Sequence, residues 1–155
     1  MPRSLARLDG HVPGTSAARG VGCRGVMRLS DLETKLLDSL RDGRLPCAFA
    51  FRLASEAGTT PEEIGAEADR LGIRISRCQL GLFGYPAFRR KGFIQQVEEV
   101  PGDVAVSLKS SSSDGKIPCA ELWRIAIDHG LPRVVVACAA ETLQLQITPC
   151  QLDCF

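Results

Sequence analysis

The sequence predicts a mostly α-helical protein with short β segments, arranged as two tandem three-helix units behind a polar N-terminal tail. Three observations carry that prediction. The stretch from Leu45 to Phe83 returns without a gap as Ile117 to Phe155, at a constant offset of 72 residues. Pro46, Cys47, Ala48, Arg52, Gly58, Ala68, Cys78, Gln79, Leu80 and Phe83 each meet their own kind in the second copy. Residues of every chemical type match, so this is a duplication and not a shared hydrophobic rhythm. Apolar positions recur at helical spacing between recognisable caps. Beyond Gly72, and again at Leu145 and Ile147, the period drops to two, which is extended chain.

The match continues upstream through Asp31/Asp103, Leu36/Leu108 and Asp42-Gly43/Asp114-Gly115. It divides the chain into a disordered Arg/Gly-rich tail (1–28), a first unit (29–83), a linker with a basic loop (84–100) and a second unit (101–155). Each unit has 55 residues, near the lower limit for an independent core, so the two are expected to pack on each other or on a second chain.

Within the first unit, Ser30-Asp31-Leu32-Glu33 predicts a capping box, followed by Leu32, Leu36, Leu37 and Leu40 as one apolar stripe ended by Gly43. Pro46 suits the first turn of a second helix with Ala50, Phe51, Leu53, Ala54 and Ala57 inside and Gly58 at its end. Thr60-Pro61-Glu62-Glu63 predicts a second capping box, opening a third helix that buries Ile64, Ala68 and Leu71 and stops at Gly72. Ile73 and Ile75 then alternate with polar residues, and Cys78, Leu80 and Leu82 alternate in the opposite phase, which places a break of face near Arg77. The second unit repeats this, with Pro149 at the break. Its first helix is weakened by the serine run Ser110 to Ser113. The segment after the third helix is expected to return antiparallel over its own core, bringing Cys78 toward Cys47 and Cys150 toward Cys119.

Net charge is +1. The tail is strongly basic and both units are mildly acidic, which is not the broad basic field of a strong nucleic-acid binder. No apolar run reaches bilayer-spanning length, and the N-terminus lacks the apolar core of a secretory signal. A soluble, cytoplasmic protein with no membrane partner is therefore expected, and its seven cysteines read as reduced thiols or metal ligands. No nucleophile–base pair, glycine-rich phosphate loop or paired carboxylates stand out, so no enzymatic activity is predicted. His129 reads as polar surface and Trp123 as a core aromatic.

From Ala50 to Leu71 the chain resembles the helix-turn-helix of bacterial transcription regulators: Ala54 where two helices touch, Gly58 at the turn, Ile64 locking the second helix, then Leu71. Ala126, Gly130, Val136 and Leu143 repeat the pattern. The chain ends five residues after Cys150, too few for a long wing, so the units are winged-helix-like at most. The resemblance implies that the helix after each turn lies in the major groove of duplex DNA. The candidate DNA contacts are Arg70, Arg74, Arg77, Arg89, Arg90, Lys91 and Arg133. Against them, the exposed side of the first such helix carries Glu62, Glu63, Glu67 and Asp69, and carboxylates repel phosphate.

The cysteines form a second constellation. Cys47/Cys119 and Cys78/Cys150 recur at equivalent places, and Cys154 follows Cys150 at a helical spacing. Cys119, Cys150 and Cys154, with Cys47 and Cys78, are candidate thiolate ligands for zinc or an iron–sulfur cluster. Core packing of the same thiols is the alternative. The leading expectation is DNA binding in transcriptional regulation. The alternatives are a non-enzymatic protein-interaction module, partnered by another protein or a second copy, and a cysteine-based metal- or redox-sensing module.

Overall fold

The computed structural model describes residues 28–87 and 92–155. Arg89, Arg90 and Lys91, like Cys23 in the tail, lie outside the described residues. The chain is mostly helical with short strands. In order it forms α1 (Leu29–Asp38), β1 (Leu45–Pro46), α2 (Cys47–Ala57), α3 (Pro61–Arg70) and β2 (Ile75–Ser76). The second half follows with α4 (Gly102–Ser110), β3 (Lys116–Ile117), α5 (Cys119–Asp128), α6 (Arg133–Thr142) and β4 (Gln146–Ile147). The same element order thus occurs twice. No helix among the described residues is long and apolar enough to cross a membrane.

Local chemistry explains most boundaries. The Thr60 hydroxyl accepts from the Glu63 amide at 3.2 Å while the Glu63 carboxylate accepts from the Thr60 amide at 3.1 Å, the predicted capping box with Pro61 at the first helical position. Gly58 closes α2 in the left-handed region at φ 66°. The capping box expected at Ser30 does not form: α1 starts two residues earlier, is capped by Arg28 without a side-chain bond, and leaves Glu33 free to pair with Arg70. Gly43 does not end α1 either. That helix stops at Asp38, and Gly43 sits in a turn closed by paired Arg41 and Arg44 backbones. Pro46 precedes α2 as its cap instead of entering its first turn.

The strands correct the expected antiparallel return. β1 and β2 run parallel with Leu45 opposite Ile75, and β3 and β4 run parallel with Ile117 opposite Ile147. A parallel pair needs a long crossover, and in each half the two intervening helices supply it. Ile73 and Ile75 therefore stay with their own core, but the chain beyond them does not. Arg77 adopts φ 48°, and past it Cys78 and Leu80 enter the hydrophobic core of the second half with Val104, Leu108, Leu122, Ile125 and Val136. Reciprocally, Leu152 is buried in the first core with Leu36, Leu45, Leu53 and Ile64, and Cys150 packs against that core.

This exchange of tails supplies each small core with a leucine that its own half does not provide. Burying each is worth about 2 kcal/mol. Residues equivalent under the 72-residue offset meet one another across the contact: Phe51 with Trp123 at 4.3 Å between ring centroids, and Phe83 with Phe155 at 5.9 Å. Such self-equivalent pairs are the signature of a two-fold interface. The linker is more than a spacer. The Phe93 amide donates to the Gly81 carbonyl at 3.0 Å, the Val97 amide to Thr142 at 2.9 Å, and Ile94 packs on the second core.

Gly65 is where the crossing tail approaches α3 most closely. A methyl group there would overlap the Leu152 carbonyl, which is backbone and cannot swing away. Gly58 has open space around it, so its substitution meets only backbone strain. Gly65→Ala is expected to cost about 3 kcal/mol of unfolding free energy by denaturant titration, against about 1 for Gly58→Ala. Equal costs would mean that the Leu152 tail is not seated on α3.

Candidate functional site

Where the tails cross they enclose a cavity of about 10 Å3. Its walls include Cys47, Cys78, Cys119, Cys150 and Cys154, together with Phe51, Trp123, Phe83 and Phe155. The structure therefore brings together all five sequence-predicted thiols. The sixth described cysteine, Cys138, is buried on α6 and does not line it. Cys47 opens α2 and Cys119 opens α5, so both stand where helix amides have no intrahelical acceptor. Cys78 and Cys150 each come just after a break of face, and the exchange carries both into the contact.

Two hydrogen bonds recur with the duplication. The Gln79 side-chain amide donates to Cys47 Sγ at 3.8 Å, and Gln151 to Cys119 Sγ at 3.5 Å. The Trp123 indole N–H is buried with no acceptor. Amide donors beside sulfur are suited to thiolate, yet among the described residues no three His, Cys, Asp or Glu side chains already stand close enough to hold a metal ion.

The thiols are not equivalent. Burial pushes Cys47 up to about 11, because a thiolate in an apolar cavity loses its hydration. Cys78 and Cys119 are raised for the same reason. Cys150 is lowered, first by the neighbouring Cys154 thiol and then by backbone N–H groups, including that of Leu152 at 3.4 Å. Cys154, whose thiol donates to the Leu152 carbonyl at 3.9 Å, is correspondingly raised by Cys150 beside it. Cys154 is exposed and Cys150 half-buried, so the activated sulfur is also among the most accessible.

The predicted DNA contacts fare differently. Arg70 is held by Glu67 at 2.6 Å and Glu33 at 3.1 Å, and these carboxylates raise its pKa further. Glu67 itself is only 8% exposed, so it belongs to that ion pair and not to the acidic outer face assigned to it. Arg133 stacks on Trp123 with its guanidinium carbon 3.5 Å from the ring centroid and donates to Gln79 Oε1. Both arginines are thus engaged by groups of the protein itself, Arg70 by two carboxylates at an exposed position and Arg133 by Trp123 and Gln79. Arg74 lies beside Asp69 and Asp153 at the rim of a second hollow, and Arg77 faces a third. His129 is not surface filling: it joins α5 to α4 through Ser107 at 3.0 Å and Asp103 at 3.3 Å.

Sequence reasoning chose the cysteines that line the cavity but paired them wrongly: the crossing of the tails puts Cys78 in one core with Cys119 and packs Cys150 on the core that holds Cys47, in place of the expected Cys47–Cys78 and Cys119–Cys150 approaches. The identity of Gln79 with Gln151, and the pairing of Phe83 with Phe155, was the available signal. The ionisation pattern predicts that iodoacetamide alkylates Cys150 first, with a rate midpoint below the ordinary thiol value, and that Cys154→Ala moves this midpoint upward. A midpoint at the ordinary thiol value in the unsubstituted chain would contradict it. No protein-family model matches this chain, and comparison with curated proteins and with solved structures finds no match, so the helix-turn-helix resemblance rests on the chain's own residues alone.

Proposed function

We propose that this chain is a cysteine-based sensing module in which a soft metal ion draws thiolates from both halves onto one site. The observation that carries the reading is the convergence of Cys47, Cys78, Cys119, Cys150 and Cys154 on a single cavity between crossed tails. Thiolate is the donor that selects zinc, monovalent copper and similar soft cations. A cavity of about 10 Å3 is the size of one water or one ion, which favours a single ion over an iron–sulfur cluster. The sulfurs must close by some ångströms to bind, so occupancy is coupled to how tightly the tails hold the halves together. That coupling is what makes a sensor out of a binding site.

Protonated thiols must release their protons to bind, so affinity rises with pH. Titrating the reduced chain with zinc should give one equivalent bound, release of two or more protons at pH 7, and a rise in thermal stability. Cys78→Ser and Cys119→Ser should each weaken binding by about tenfold or more, while Cys138→Ser leaves it unchanged. No proton release and no stabilisation by zinc or monovalent copper would overturn the reading.

DNA binding remains a second reading, favoured by one observation. Ala54 and Ile64 are buried between α2 and α3, and the left-handed Gly58 makes the turn, as the resemblance requires. The commitment of Arg70 and Arg133 ranks it behind the thiol site. Salt-dependent binding to duplex of arbitrary sequence is its test.

A further inference from the structure

A hollow of about 460 Å3, lined by none of the cysteines, lies on the first half between the turn after α1 and the segment after β2. Arg41, Arg44 and Arg77 line it, together with Asp42, Ser76 and Tyr85. Three guanidinium groups against one carboxylate leave it a net charge of +2. We infer that this hollow is a binding site for a phosphate monoester carried on a small molecule. The inference is independent of the thiol site.

Several features argue that the arginines are arranged for a ligand. Arg41 Nη1 donates to the Leu40 carbonyl at 2.7 Å, and its guanidinium lies 5.0 Å from the Phe49 ring centroid, which fixes its direction. Arg41 and Arg44 are locked to each other through their backbones at 2.8 and 3.0 Å. Arg77 is aimed from the other wall by its left-handed backbone at φ 48° and by its amide, which donates to the Gly84 carbonyl at 3.1 Å. Among the described residues neither Arg44 nor Arg77 has a carboxylate partner. That contrasts with Arg70 and Arg124, both of which are paired. Tyr85 gives its hydroxyl proton to the Cys78 carbonyl at 2.6 Å, which fixes one wall.

The duplication supplies an internal comparison. At the equivalent places the second half has Ser113 for Arg41, Lys116 for Arg44 and Pro149 for Arg77. The shared fold does not require the three arginines, so their gathering belongs to this hollow and not to the scaffold. Guanidinium forks pair with phosphate oxygens two at a time. A dianion matches the +2 charge, where a single carboxylate would leave half of it unanswered. The volume lies within the range of small-molecule sites.

The test is calorimetric titration of the full chain with inorganic phosphate and with adenosine monophosphate, in low-salt buffer at pH 7.5. Saturable one-to-one binding is expected for both, weakened about tenfold or more by Arg44→Gln or Arg77→Gln and unchanged by Lys116→Gln. Unfolding midpoints of the variants, followed by circular dichroism, separate lost binding from lost folding. Absence of saturable binding, or binding indifferent to both arginine substitutions in folded protein, would overturn the proposal. Binding of random duplex DNA with no response to either phosphate probe would overturn it too, and would assign these arginines to a nucleic-acid backbone.

Discussion

Leu80 and Leu152 are buried in the half of the molecule to which their own helices do not belong, and this crossing is the constraint on which the other features depend. Each half contributes three short helices and a two-residue parallel pair, too little to close a core unaided. Once both tails cross, Phe83 must meet Phe155 and Phe51 must meet Trp123. Cys78 and Cys150 are carried into the contact with them. Arg77 and Pro149 mark where the chain leaves its strand, each followed by a tight turn, Cys78 to Gly81 and Cys150 to Asp153, and Gly65 leaves room on α3 for the Leu152 backbone.

The thiol cavity follows from the same geometry. Helix starts bring Cys47 and Cys119 to it, and the tails bring Cys78, Cys150 and Cys154. Burial holds most of these sulfurs protonated, while Cys154 and nearby amides favour thiolate at Cys150. One ionised sulfur among protonated neighbours is a starting point for a soft cation, whose own charge then favours loss of the remaining protons. The arginine hollow holds none of these sulfurs. Its residues have diverged between the copies, whereas Cys47/Cys119, Cys78/Cys150 and Gln79/Gln151 of the cavity have not and only Cys154 stands opposite a different residue, Leu82, so the two sites impose separate demands on one scaffold.

Much of the helical structure was legible in the chain. Thr60-Pro61-Glu62-Glu63, Gly58 and the apolar stripe through Ile64 and Ala68 are local signals, and local signals survive into the fold. Strand direction and tail exchange were not legible, because alternation shows which residues are buried without showing in whose core. Leu80 reads the same whether it folds home or crosses. The basic segment misled for a related reason. Arg70 and Arg133 look available in sequence, and only the fold places Glu33, Glu67 and Trp123 beside them. The recurrence of Cys47, Cys78 and Gln79 did point to the site. Its single shared cavity required the crossing to be known.

X-ray absorption at the zinc edge of the reduced chain, loaded with one equivalent, addresses the central claim most directly. A site closed by both tails predicts a first shell of three or four sulfurs at about 2.3 Å and no histidine nitrogen. It also predicts loss of one sulfur in Cys78→Ser and one in Cys150→Ser, since these residues stand on opposite tails. A shell dominated by nitrogen or oxygen, or one that loses nothing when either tail cysteine is replaced, would contradict a site shared between the halves.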